Sequence, residues 1–524
     1  MKPQTSVRPV WRRALRPRPV VQVVLVIATA AAIVWWPSID AANDRARAAV
    51  GGTAAETLGW VVTACLVYLV LVYALYAVLV VFAGIEGAAR ARQHASEDFE
   101  TLEQSRFTIP VSIIAAVYNE QPVVVASTTS LLRQSYPEHE VIIVDDGSTD
   151  GTFETLRAAF DLEAREVFFR QSFETRAITG VYRSRTDPRL IVVRKLNGGK
   201  ADSLNCGINF SRYRYILGVD GDTVYRRDAL LNGMRVAMLD PARVVAVTSH
   251  VAISVHPEQQ LDVPVGRRSV DHSLLSNFQH LDYLRSFMNN RLAWSRLGFM
   301  LCTVGAFHIW RRDVIEQVGG FSPDFTCEDI EMTFRVHELS LREKRGWQIL
   351  SLADTVATTE GPATIRPLIK QRARWQRVIM ETVWHYRMMF LNPRYGSVGL
   401  IGVPFYLITE VIAPVFEVLA VLVILFGLWL GVLDVTQFLL ALGIMCAATG
   451  ILSNTAVLID DRTSRSHRLS SLMRLMLVAP LDLFLYRPLL VWARVRGTWD
   501  FARGRRDWDK FERNVRADPA ELGA

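Results

Sequence analysis

Residues 215–223 read YILGVDGDT. An apolar run from Tyr215 to Val219 stops at two carboxylates, Asp220 and Asp222, with only Gly221 between them. A strand that looks buried but ends in repelling charges has two readings. Asp-Gly is a common turn pair, and both carboxylates can face water there. Alternatively a divalent cation holds them, because hard oxygen ligands suit Mg2+ or Mn2+. Packing alone gives no reason for the pair, since burying one unpaired carboxylate is costly and two are worse.

The same pattern recurs outward from this run. VSIIAAVYNE (111–120), EVIIVDDGS (140–148), LIVVRKLNGG (190–199) and VVAVTSHVAI (244–253) are short apolar runs bounded by polar or turn residues. Polar stretches with helical spacing, such as 121–135, separate the first of them. Alternating β and α predicts an α/β domain with a doubly wound, mostly parallel sheet. Ligands bind such sheets beyond the carboxyl ends of the strands. Three runs end there in acidic or amide groups: Asn119–Glu120, Asp145–Asp146 and Asp220–Asp222.

The bulk numbers add a membrane part. The 524 residues are 50% hydrophobic with a mean hydropathy of +0.19, high for a wholly soluble chain. The net charge of +7 comes mostly from Arg beside apolar segments, which favours a membrane surface and membrane lipids over nucleic acid. Five cysteines are scattered without CxxC or Cys/His spacing, so no disulfide framework or zinc site is expected. The catalytic part is expected in the reducing cytosol.

Residues 1–18 are basic, and the first acidic residue of the chain is Asp40. The apolar run 19–36 ends in Trp35–Trp36 and reads as a span rather than a signal peptide. A second uncharged run, 58–83, is long enough to cross a bilayer. Two transmembrane helices are thus expected within 19–84. The positive-inside rule puts the N-terminus and residues 105–385 in the cytosol. Within 396–495, an interfacial or kinked helix, a span at 411–431 and a second at 436–458 follow. Segment 469–495 carries Arg474, Pro480, Asp482 and Arg487, so it reads as re-entrant or interfacial rather than as a span. Residues 496–524 form a basic tail assigned to the cytosol.

Four further motifs each keep two readings. In VDDGSTDGT (144–152), Asp146 or Ser148 can cap a helix, or the acidic pair can touch a nucleoside. KLNGGKADSLN (195–205) is a β-to-α turn with a solvated Lys200, or a helix N-terminus that meets phosphate. In TCEDIEMTFR (326–335), Glu328 and Asp329 satisfy the helix dipole or supply a general base. QRARWQR (371–377) lines a membrane surface, or Trp375 stacks on a sugar while Gln371 and Arg374 hold acceptor and diphosphate.

The order DDGS, GGK, DxD, ED, QxxRW resembles the processive family-2 glycosyltransferases, the group of cellulose, chitin-oligosaccharide, hyaluronan and poly-N-acetylglucosamine synthases. The resemblance covers 105–385 and extends to the flanking spans. GGKADSLNCGIN, VGGFSPDFTCEDIEM and QRARWQR place it near the poly-N-acetylglucosamine and cellulose synthases. It implies a cytosolic GT-A-like domain inserted between transmembrane helices of the plasma membrane. It implies a hexosyltransferase that polymerises a β-linked polysaccharide from UDP-N-acetylglucosamine or UDP-glucose, with Mg2+ or Mn2+ as cofactor. The partners are a growing glycan or lipid acceptor and export or accessory subunits. Tyr118, Glu120, Asp145, Asp146, Lys200 and Asp220 would bind the nucleotide sugar, and Asp222 the metal. Asp329 would be the base beside Glu328, and Gln371, Arg374 and Trp375 would meet acceptor and diphosphate. Two departures stand out: Gly221 where Ala is frequent, and MLCTVGAF (300–307), which lacks the Ser expected before Gly305. A cyclic-dinucleotide-binding module is not expected after the last apolar segment. The rival readings are a non-processive glycolipid synthase, a glycoside hydrolase, and a transporter or receptor. A hydrolase uses two carboxylates at several ångströms' separation without a nucleotide site, and a transporter or receptor leaves the motif order unexplained.

Overall fold

The computed structural model describes residues 52–96, 99–105, 107–254, 273–430, 435–464 and 468–505, together with Asp44 and Ala48. The basic N-terminus 1–18, the apolar run 19–36 and the tail beyond 505 lie outside the described residues.

Ten strands form one mixed sheet. They are β1 (Val111–Val117), β2 (His139–Asp145), β3 (Leu162–Ala164), β4 (Ile178–Ser184), β5 (Leu190–Lys195), β6 (Tyr215–Asp220), β7 (Val224–Tyr225), β8 (Val244–Ser254), β9 (Phe307–Arg311) and β10 (Gln348–Glu360). Their spatial order is β3-β4-β5-β2-β1-β6-β9-β8-β10-β7. The centre, β5-β2-β1-β6, is parallel. Antiparallel pairs β4–β5 and β6–β9 flank it, and β8–β10 pair in parallel beyond β9, so the sheet is mixed, with its continuous parallel run at the centre. Central strands are apolar on both faces because both faces are covered. Ile114, Ile142 and Val193 enter one core, whereas Ile113, Ile143 and Val192 enter the other.

The order also explains where a site forms. From β1 the chain moves to β2 and β5 on one side, then returns to β6 on the other. The crevice at that reversal, between the ends of β1 and β6, is where open α/β sheets bind ligands. Register aligns the ends: Val117 pairs with Asp145, and Ala116 with Asp220.

Helices complete the frame: α1 (Gly52–Ser96), α2 (Lys200–Phe210), α3 (Glu328–Arg342), α4 (Ile365–His385), α5 (Ala413–Trp429), α6 (Val435–Ser464) and α7 (Arg487–Ala502). Among the described residues, three stretches, 56–93, 398–429 and 442–463, are long and apolar enough to cross a membrane. Helix α1 also meets the sheet domain, because Glu86 pairs with Arg296 at 3.0 Å and Arg90 at 2.9 Å. Stretch 398–429 holds π-helical turns at 398–402 and 407–411, around Pro404 and just before Pro414. Proline lacks the amide that a regular turn needs, so the winding widens there. Helical segment 469–485 and α7 are bent by 51°.

Candidate active site

The three strand ends are stitched together by backbone-directed polar contacts. Asn119 adopts a positive φ of 54°, a conformation that Asn tolerates better than most residues. Its amide donates to Ser148 Oγ at 3.0 Å, and the Glu120 amide donates to Thr152 Oγ1 at 2.8 Å. Asp146 accepts from the amides of Gly198 at 2.9 Å and Gly199 at 2.8 Å, and pairs with the buried Lys195. One carboxylate thereby shapes the Gly-Gly loop against the β2 end.

Lys200, the first residue of α2, joins the other two motifs. Its ammonium contacts Asp220 Oδ1 at 2.6 Å, Glu328 Oε1 at 2.9 Å and the Gly305 carbonyl at 3.1 Å. These carboxylates hold Lys200 well above its ordinary pKa despite the opposing effect of burial. The first Asp of DxD and the Glu of ED are thus tied through one cation.

Asp329 lies beside this bridge, in the first turn of α3. Its Oδ1 accepts from its neighbour's amide, Ile330 N, at 2.7 Å and from the Cys327 thiol at 2.9 Å. Burial and the Glu328 charge push its pKa up to about 6, against the pull of Lys200. That places a carboxylate near neutrality, where general bases work well.

Helix α4 carries the remaining motif. Arg372 pairs with Asp282 at 3.0 Å, and its guanidinium lies 4.1 Å from the Trp375 ring centre. Tyr283 flanks the same indole at 5.8 Å. Gln371 is buried, and its Oε1 has no hydrogen-bond partner among the described residues. Such an orphaned acceptor fits a ligand donor group.

A cavity of about 2050 Å³ connects these groups. It touches Tyr118, Glu120, Asp146, Lys200, Asp220, Asp222, Glu328, Asp329, Gln371, Arg374 and Trp375. It continues past Trp375 between α1, α5 and α6. Asp145 does not line it. Asp145 is fully buried, accepts from the Ser148 amide at 3.0 Å and pairs with Arg194 at 3.2 Å. Its carboxylate lies against the Ser148 loop and Arg194 of β5 and holds the loop from behind the cavity wall.

The residues suit a divalent cation held partly by substrate. Asp220 and Asp222 lie on one turn facing the cavity, and no cluster of three or more metal-ligating side chains occurs among the described residues. Mg2+ uses one or two carboxylates plus phosphate oxygens. Asp220 is engaged by Lys200, and Asp222 accepts from Thr223 Oγ1 at 3.1 Å.

Sequence reading missed Asp282, Tyr283 and Arg285. Arg285 bridges Asp282 at 3.4 Å and Asp482 at 3.0 Å, which links α4 to the bent segment. Their only signal was the Asp282 and Arg285 charge in a mixed polar and apolar helical stretch.

Residues 112–316 match the model of Glycosyl transferase family 2, and residues 215–452 match Glycosyl transferase family group 2. The chain carries a family-2 glycosyltransferase domain. The second match carries this glycosyltransferase region into the apolar helices after α4. The poly-β-1,6-N-acetyl-D-glucosamine synthase of Staphylococcus epidermidis is 26% identical over 278 residues, 52% of this chain and 56% of that relative. The synthase of Staphylococcus aureus is 24% identical over 265 residues, 51% and 53% of the two chains. The chain thus spans about half the length of the curated relatives it matches. A solved structure of the mannosyltransferase PcManGT from Pyrobaculum calidifontis, with GDP-Man and Mn2+, is 18% identical. It covers 80% of this chain and 99% of its own, with a TM-score of 0.43. With spanning helices on both sides of the glycosyltransferase domain, the chain is a multi-pass membrane protein with a large cytosolic catalytic domain.

Proposed function

We propose that this chain is a processive, inverting polysaccharide synthase of the inner membrane, using a UDP-sugar and passing the product between its own helices. The single observation that carries the reading is the continuous cavity. It runs from the carboxylate cluster, past Trp375, into the membrane helices. Its deeper walls hold paired charges, including Arg494–Glu410 at 2.9 Å and Arg487–Glu417. Paired charges inside a membrane segment suit a hydroxyl-rich chain better than an acyl chain. UDP-N-acetylglucosamine is the favoured donor, in line with the poly-β-1,6-N-acetyl-D-glucosamine synthases of the two staphylococci.

The division of labour follows from charge and placement. Tyr118, Glu120 and Asp146 wall the nucleoside end, while Asp145 supports the loop from behind. Asp222, with Asp220, would hold Mg2+ or Mn2+; that cation would neutralise charge on the departing diphosphate. Arg374 adds positive charge at the diphosphate. Trp375 offers an aromatic face to the acceptor sugar, and the Gln371 side-chain oxygen accepts from one of its hydroxyls. Asp329 takes the acceptor hydroxyl proton as that oxygen bonds to the donor's anomeric carbon. The anomeric C–O bond breaks on the opposite face, and its electron pair leaves with UDP. Lys200 keeps Asp220 and Glu328 at a fixed separation.

The test uses the full chain in nanodiscs with Mn2+ or Mg2+ and radiolabelled UDP-N-acetylglucosamine or UDP-glucose. A high-molecular-weight ladder from one donor, absent in Asp329→Asn, supports the reading and names the sugar. A single product extracting into organic solvent would replace it with glycolipid synthesis. Transfer from neither donor would overturn the donor assignment.

A further inference from the structure

Asp329 stands at the N-terminal turn of α3, yet the residue before that helix does not cap it. Cys327 is in extended conformation at the cap position and makes no side-chain bond to the helix amides. Ser, Thr, Asp or Asn there would ordinarily accept from those amides. The Cys327 thiol instead points along the cavity wall to Asp329 Oδ1, at 2.9 Å. The Ile330 amide binds the same oxygen at 2.7 Å.

The second carboxylate oxygen has a different setting. It faces Gly305, where a methyl group would stand 3.2 Å from Asp329 Oδ2 and 2.7 Å from Lys200 Nζ. Glycine lets Lys200 and that carboxylate oxygen approach the loop without a clash. The two oxygens are therefore unequal: Oδ1 is anchored by two donors, whereas Oδ2 lies beside Gly305 in the cavity wall.

We propose that Cys327 is a positioning residue, whose thiol fixes Oδ1 of Asp329 and so presents Oδ2 to the acceptor hydroxyl. The inference rests on Asp329 being the base. A protonated thiol suits this task because it donates without adding charge. Burial and the neighbouring Asp329 and Glu328 carboxylates keep the Cys327 proton in place, with its pKa held well above the ordinary range. Other charged or titratable groups also surround the carboxylate. Glu328 lies on its own helix, Lys200 at the start of α2, Cys302 on the loop before β9, and Tyr406 across the cavity. Asp220 reaches it through Lys200, and Arg374 approaches Cys327 from α4. None of these others donates to Oδ1 in the hydrogen bonds of the described residues.

The experiment compares the full chain in nanodiscs with Cys327→Ala, Cys327→Val, Cys327→Ser and Asp329→Asn, reading UDP release from pH 5 to 8.5. Loss of the donor lowers kcat about tenfold, with KM for the donor sugar nearly unchanged. It also moves the acid limb to higher pH, because a hydrogen bond to the charged form has been removed. Serine restores both. Valine keeps the volume without the donor, so a packing role would leave it near parental activity, and that result overturns the proposal. An unmoved acid limb in Ala and Val overturns it too. If Asp329→Asn itself turns over, the base assignment has failed; if Asp329→Asn is dead and the cysteine variants are parental, only this inference has.

Discussion

Lys200 and Asp329 show how single side chains set the chemistry. Lys200 compensates two carboxylates from separate elements, Asp220 from β6 and Glu328 from α3. Removing one partner of such a partly buried cluster leaves uncompensated charge, which costs about 3 kcal/mol. Lys200→Met is therefore expected to lower the thermal midpoint and abolish transfer, and a scan in detergent beside a turnover assay checks both. The fate of Asp329 with pH follows from its raised pKa. A base must be deprotonated, and its pKa is about 6, so kcat/KM falls as pH drops through about 6. A UDP-release profile with its acid limb near 4 would contradict this.

Helix α2 lies so close to β1 that its Gly207 admits no side chain. A Cβ there would come within 2.2 Å of Ile114 Cγ2. Gly207→Ala overpacks that contact, at about 1–3 kcal/mol, and shifts Lys200 away from the β6 end. Both lower stability and reduced turnover are expected, measured on the same purified protein. At this scale the sequence was readable where physics is local. Apolar runs ending in acidic or amide residues marked β1, β2 and β6 because strand burial and turn chemistry both operate within a few residues. The segment Asp282–Arg285 was not readable, because its charges acquire meaning only from Arg372 and Asp482, roughly 90 and 200 positions away. Asp145 and Asp146 also looked equivalent in sequence. Asp145, the last residue of β2, turns toward Arg194 of β5, and Asp146 just beyond the strand turns toward the cavity; only the neighbouring strands define which is which.

For the molecule as a whole, the bent segment 469–502 is coupled to the helices beside it by ion pairs. Arg494 pairs with Glu410, and Glu417 lies 3.7 Å from Arg494. Truncating one partner within a low-dielectric region strands a charge, so Arg494→Gln or Glu410→Gln alone is expected to cost about 3–5 kcal/mol. The double variant recovers much of that loss. A double-mutant cycle on thermal unfolding in nanodiscs measures the coupling, and additive losses would show that the pair contributes nothing.

The sequence by itself determined the elements and the chemical inventory: short buried strands, carboxylates at their ends, a Gly-Gly turn before a helix, and apolar runs of membrane length. Those features depend on residues adjacent in the chain, where hydrophobic patterning and turn preference act. Tertiary structure decided which carboxylates meet, because pairings such as Lys200 with Asp220 and Glu328 depend on strand order and register. It also decided that Asp145 supports rather than lines the cavity, and that one oxygen of Asp329 is held by two donors while the other faces Gly305. Electrostatic and steric interactions act through space, and a linear pattern does not encode which distant segments share that space.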